Sequence, residues 1–275
     1  MLRVLALAAM LSAPAHAAPA RIVSLNPCLD ALLVELADRS QIAAVSHYAR
    51  DPASSSIAEI AATLPITYES AEEVIALSPD LVITSRHSAL ATRNALRRLN
   101  IQTELFEVPD TVEASEAQVM RISGLVGHPG RGEDLIARID AAIAAAKPAT
   151  DAPAIPAVLI EPSGFTVGAN TLTDDMFHRS GFANAAARYG VGKAGNIALE
   201  RLIADPPTVL FAGVPDPNKP GWAERILRHP AMRHIGARIM RADYPQRLMY
   251  CGGAVLIETA RVLAATRKRV QEAQP

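Results

Sequence analysis

The residues able to do chemistry are few and spread along the chain. Cys28 and Cys251 are the only two cysteines. An even count in an exported chain permits one bond. Cys28 sits where a first helix begins and Cys251 just ahead of a last one, so a bridge would fasten two lobes. The reading preferred here is two separate buried or cleft-edge thiols. His47, His87, His128 and His178 are dispersed, and His229 and His234 are not spaced to share one helical face. Neither H-E-x-x-H nor G-x-S-x-G occurs, which removes the simplest zinc-hydrolase and serine-hydrolase chemistries. Gly190-Val-Gly192-Lys-Ala-Gly195 matches G-x-G-x-x-G. No buried strand leads into it, and a dinucleotide site needs that context. No catalytic set and no metal set is assigned.

Composition narrows the class further. The 275 residues carry 27 Lys plus Arg against 28 Asp plus Glu, a formal net charge of −1. Nucleic-acid proteins carry a basic excess, so no nucleic-acid partner is expected. Half of the residues are hydrophobic and 20% charged, the balance of a folded chain. Aromatic residues make up only 4%, so where they fall carries more information than how many there are.

At the N-terminus, Met1-Leu-Arg3, the apolar run from Val4 to Leu11 and Ala15-His16-Ala17 read as a cleavable signal peptide over residues 1–17, with Ala18-Pro-Ala20 offering a second cleavage site. Pro27 and Asn26 precede Cys28, where a lipoprotein box needs small residues, so no lipid anchor is expected. The protein then reads as soluble, exported and periplasmic.

The rest alternates strand and helix. Strands are expected over 21–26, 41–46, 81–84 and 101–106, with helices over 29–37 and 88–99. A helical stretch runs from Thr111 to Lys147, interrupted at Gly127-His128-Pro129-Gly130. A linker follows at 147–153. Strands at 157–161 and 208–212 and helices at 172–179, 199–204 and 254–268 complete the chain. This predicts an N-terminal α/β lobe over 18–127, a bridging helix and linker over 128–150, and a C-terminal α/β lobe over 151–275, each lobe with a largely parallel sheet.

An internal repeat supports two lobes. Glu72-Glu-Val-Ile-Ala-Leu-Ser-Pro-Asp-Leu-Val-Ile83 lies residue for residue over Glu200-Arg-Leu-Ile-Ala-Asp-Pro-Pro-Thr-Val-Leu-Phe211. Each copy reads as an acidic helix start, a short helix, a break at Pro79 or Pro207, and a buried strand. Ser70 and Glu73 additionally form an S-x-x-E capping box.

Arg21-Ile-Val-Ser-Leu-Asn-Pro27, the stretch from Glu72 to Thr84 and the bridging helix resemble the periplasmic substrate-binding proteins of ABC importers, in the class handling cobalamin, iron siderophores and haem. The resemblance implies two Rossmann-like lobes joined by one long helix, a ligand held in the cleft, little hinge motion and no catalysis. The implied ligand is a cobalamin-type corrinoid or an iron chelate, with no resident cofactor. The implied partner is the importer's permease, engaged by a monomeric receptor.

Ligands of open parallel sheets sit beyond the carboxyl ends of the strands, where Asn26, His47-Tyr48, Arg86-His87, Phe165 and Tyr244 fall. A planar chelate favours aromatic faces, so Tyr48, Tyr68, Phe165 and Tyr244 are the wall candidates. The resemblance places Tyr68 at a cleft aromatic position. Arg86, His87 and the nearby Arg50 could meet ligand carboxylates or phosphate, and His47 or Tyr48 could ligate a haem iron. Trp222 is a candidate fluorescence reporter. The resemblance also casts Glu72 and Glu200 as permease-docking carboxylates, against the plainer reading of helix N-terminal acids. An exported enzyme on a chelatase-like fold and a zinc- or manganese-binding receptor remain alternatives.

Overall fold

The computed structural model describes residues 18–149, 152–161, 163–213, 228–230, 232 and 236–273. The signal-peptide expectation and Trp222 lie outside them. In the first half, strand and helix alternate as β1 (Ile22–Ser24), α1 (Pro27–Leu36), β2 (Ile42–Ser46), α2 (Ala58–Ala61), β3 (Ile66–Thr67), α3 (Ala71–Ala76), β4 (Leu81–Ser85), α4 (Leu90–Arg98) and β5 (Thr103–Phe106). The strands form one sheet of order β3-β2-β1-β4-β5, parallel throughout. Every residue of β1 and β4 is buried, as suits parallel strands covered on both faces.

Two helices follow, α5 (Val112–Leu125) and α6 (Pro129–Ala146). Pro129 starts α6 because a first-turn residue needs no N–H partner. The two helices approach so closely that a Cβ on Gly132 would lie 2.3 Å from Ser123 Oγ. Glycine is required there by space alone.

The second half runs β6 (Ile155–Ile160), β7 (Phe165–Val167), α7 (Leu172–Arg179), β8 (Phe182–Asn184), β9 (Ala194–Asn196), α8 (Leu199–Ala204), β10 (Val209–Ala212), β11 (Met240–Asp243) and α9 (Val255–Ala273). Its sheet has the order β11-β10-β6-β7-β9, with β8 pairing β6. The second sheet is largely parallel as expected, through β8-β6-β10-β11, and gains an antiparallel margin in which β7 pairs with both β6 and β9. A tight turn through Gly164, at φ +88°, folds β7 back onto β6. The antiparallel register, Ile160↔Thr166, then needs no crossover helix.

The repeat seen in the sequence is a repeat of structure. The path β2-β1-β4-β5 in the first sheet matches β8-β6-β10-β11 in the second, with every pairing parallel. Helices α3 and α8 occupy equivalent places ahead of β4 and β10. The capping box is half formed. Glu73 N–H donates to Ser70 Oγ at 3.2 Å, whereas the Glu73 carboxylate accepts from Thr67 Oγ1 and Tyr68 N–H rather than from Ser70.

One buried carboxyl sits beneath the first sheet's carboxyl edge. Asp30 of α1 is wholly buried and accepts from Ser46 N–H and from Ser46 Oγ at 2.5 Å. Burial outweighs these bonds and pushes its pKa up from 3.8 to about 7. The folded chain therefore keeps a proton that the unfolded chain releases near pH 4, so stability falls as pH rises from about 4 through about 7. In urea unfolding across that range, Asp30→Asn should flatten the profile by roughly 2–4 kcal/mol relative to wild type. Parallel profiles for the two proteins would contradict this.

Candidate ligand-binding cleft

Because the first sheet is parallel, all its strand carboxyl ends open on one edge. In sheet order, that edge carries Tyr68 after β3, His47 after β2, Asn26 after β1, Arg86-His87 after β4 and Glu107 after β5. The half from β1 to β5 forms one wall of a cavity of about 850 Å³. The opposite wall comes from the second half of the chain, through Met176 of α7, Lys193 ahead of β9, Tyr244 after β11 and Met249 to Cys251. Val108, Pro109, Leu172, Leu248 and Leu256 make much of the lining apolar. A large apolar cleft with a few placed polar groups is the usual build of a small-molecule site.

The charged groups at this cavity are matched in pairs. Lys193 Nζ reaches Asp110 Oδ2 across the cleft at 2.6 Å. Arg86 pairs with Glu107 at the rim. Tyr250 donates from its hydroxyl to Glu161 Oε2 at 3.1 Å. Burial holds the Glu161 carboxyl above the usual range, and burial together with the Glu161 charge raises the Tyr250 phenol. Tyr244 lines the cavity from its floor. It is 1% exposed, its N–H donates to Ala212 O, and burial pushes its pKa to about 12.

The other half of the edge is an aromatic platform. His47 lies between two tyrosine rings, 3.9 Å from the Tyr48 centroid and 4.8 Å from that of Tyr68, the latter stacked. Tyr48 is 50% and Tyr68 67% exposed, so both rings present area to a ligand rather than to the core. His47 Nδ1 is buried without a hydrogen-bond partner. Beside it, Glu69 takes a left-handed backbone at φ +68°, and burial raises its carboxyl against the opposing pull of His47.

The expected site residues therefore separate into groups. Asn26, His87 and Tyr244 line the cavity, while His47, Tyr48 and Tyr68 form the platform. The Asn26 side chain is engaged in its own helix: its Oδ1 accepts from Cys28 and Leu29 N–H, capping α1, and its Nδ2 donates to Ser85 Oγ. Phe165 comes after β6 and its turn, as expected, and is itself a strand residue. It begins β7 opposite Asn196, is 46% exposed and does not line the cavity. Arg50 is corrected from a ligand-facing cation to a brace, since its guanidinium donates to Ala61 O and Leu64 O. Among the described residues, no three His, Cys, Asp or Glu side chains gather where they could hold a metal ion.

The preference for separate thiols is also corrected: Cys28 and Cys251 are bonded, with Cα atoms 5.0 Å apart, and both line the cavity. Glycines bring the Cys251 segment in. Gly253, at φ +67°, lies where a Cβ would be 2.4 Å from Leu32 of α1, and its N–H donates to Ser115 Oγ of α5 at 2.8 Å. The bond thus joins the start of α1 to the segment ahead of α9, 223 residues later. Closing so long a loop constrains the unfolded chain. Reduction, or Cys28→Ser with Cys251→Ser, should lower the unfolding free energy in urea by roughly 2–5 kcal/mol. An unchanged midpoint would contradict that role.

Comparison with known proteins agrees with this architecture. The profile of the periplasmic binding protein family matches residues 22–239. The "Cobalamin-binding protein" of Halobacterium salinarum (strain ATCC 29341 / DSM 671 / R1) is 27% identical over 201 residues, covering 71% of this chain and 54% of that protein. The chain spans about half the length of the curated relatives it matches. Among solved structures, the apo periplasmic heme-binding protein RhuT from Roseiflexus sp. RS-1 aligns with a TM-score of 0.70 at 25% identity, over 92% of this chain and 98% of that one. The vitamin B12 binding protein BtuF of Vibrio cholerae aligns at 0.68 with 16% identity, over 92% and 98%, a likeness of fold. The chain belongs to the periplasmic binding protein family.

Proposed function

We propose that the protein is an exported receptor that captures a cobalamin-type corrinoid or an iron chelate between its lobes and delivers it to an ABC importer. The observation that carries this reading is the apolar cavity of about 850 Å³ at the strand carboxyl ends. Beyond that cavity, the same strand edge carries the exposed rings of Tyr48 and Tyr68. A planar macrocycle offers a broad face to such rings, and the apolar lining takes its body. The names of the cobalamin-binding and heme-binding relatives support the class.

Charge favours the corrinoid within that class. Lys193 and Arg86 are already matched by Asp110 and Glu107, which leaves little for a ligand with several free carboxylates. A corrinoid presents mainly amides, which suit hydrogen-bonding groups such as Tyr250, His87 and Glu161. The iron-tetrapyrrole reading draws its support from the imidazoles of His47 and His87 at the same edge.

Absorption titration of the mature protein with cyanocobalamin, haemin and a ferric siderophore tests the reading. A saturable one-to-one spectral change is expected, strongest for cyanocobalamin. Absence of binding to all three, with turnover of some substrate instead, would overturn the receptor in favour of an enzyme.

Delivery is assigned to Glu72 and Glu200. Each is the second residue of a six-residue helix in the repeated unit, α3 or α8, and each is exposed. Neither side chain has an ion-pair partner among the described residues. Exposed carboxylates placed alike on two lobes suit cationic groups of a permease, giving orientation and steering. Glu72→Lys with Glu200→Lys should abolish receptor stimulation of the importer's ATPase while ligand binding persists. Normal stimulation by that double variant would remove the assignment.

A further inference from the structure

We propose a second binding site, in the groove between α4 and β5, for a small oxyanion carried on an apolar body, either a phosphate ester or a carboxylate. Strand β5 is the edge of the first sheet, and its side chains alternate between two faces. Glu104 and Phe106 turn towards α5, where Arg121 pairs with the first and lies 4.5 Å over the ring of the second. Thr103 and Leu105 turn the other way and, with α4, enclose a cavity of about 380 Å³.

Two guanidinium groups share that cavity. Arg93 and Arg97 are one turn apart on α4, so both side chains project on the same face. No carboxylate lines the groove with them. Elsewhere in this half of the chain, Arg86, Arg121, Arg131 and Arg138 each pair with an acid. Among the described residues, Arg97 Nη2 donates only to the neutral Asn94 Oδ1, at 2.8 Å. Arg93 Nε is buried and donates to nothing among the described residues. A buried donor left without an acceptor costs free energy, and two like charges in one groove add repulsion. An oxyanion answers both, because a guanidinium fork matches phosphate and carboxylate oxygens in pairs. Leu90 and Leu105, both exposed at the rim, supply apolar surface for the body of the ligand.

This site is independent of the cleft, since the two cavities share no lining residue. The test is calorimetric titration of the mature protein with inorganic phosphate, phenyl phosphate and benzoate, at constant ionic strength set with chloride. Phenyl phosphate or benzoate should bind saturably and at least about threefold tighter than inorganic phosphate, as expected for partial burial of a ring. Whichever of the two binds tighter assigns ester or carboxylate. Arg93→Gln with Arg97→Gln should weaken binding about tenfold or more, with a thermal midpoint in chloride no lower than that of the parent protein showing that the variant is folded. Asn94→Ala, which leaves both charges, should weaken it less. No saturable heat with any probe, equal affinity in the arginine double variant, or no gain from the ring would each overturn the proposal.

Discussion

The cleft exists because the two sheets are not free to move independently: one apolar core runs through both. Helix α6 stands between α5 and α9 and contributes Leu135, Ile139 and Ile143 to a single buried cluster. That cluster also contains Ile22 and Ile83 from the first sheet and Ala157 and Phe211 from the second. Each such side chain withdrawn from water is worth roughly 1.5–3 kcal/mol, so separating the lobes would expose a large part of the core. The ends of α6 are tied as well. Near its start, Arg131 donates to Leu36 O and pairs with Asp38. At its end, Arg267 of α9 donates to Ala146 O, Lys147 O and Ser180 O, satisfying carbonyls that a helix terminus leaves open.

From this fixed frame the binding surface follows. Strands β1, β4 and β5 of the first sheet end at the cavity that the second half of the chain closes, and the Cys28–Cys251 bond crosses between its two walls. Lys193 and Asp110 close the cleft electrostatically from another side.

Much of this was legible in the sequence, for a definite reason. Strands buried on both faces are continuous apolar runs, so Leu81-Val-Ile and Val209-Leu-Phe stand out. The bounds of α7 and α8 follow from apolar periodicity, with a capping Thr171 for α7. What stayed hidden depends on partners distant in the chain. Strands β3 and β7 to β9 are two or three residues long, too short for a period to register. Arg50 reads as a free cation until the carbonyls of Ala61 and Leu64 are placed beside it. The cysteine pair could be counted but not joined, because the approach of residues 251–253 to α1 and α5 rests on close packing at Gly252 and Gly253. Met249 and the Lys193–Asp110 pair carried no local signal. The adjacency of Tyr250 to Cys251 was the only hint.

The proposed ligand position is the one edge that runs from the Tyr48 and Tyr68 platform through the disulfide-bounded cavity. Hydrogen–deuterium exchange of the mature protein with and without saturating cyanocobalamin tests it most directly. The account predicts added protection at residues 26–29, 47–50, 68–70, 86–88 and 248–253, with α4 and the far ends of the strands unchanged. Protection absent from these segments, or concentrated away from the strand carboxyl ends, would contradict it.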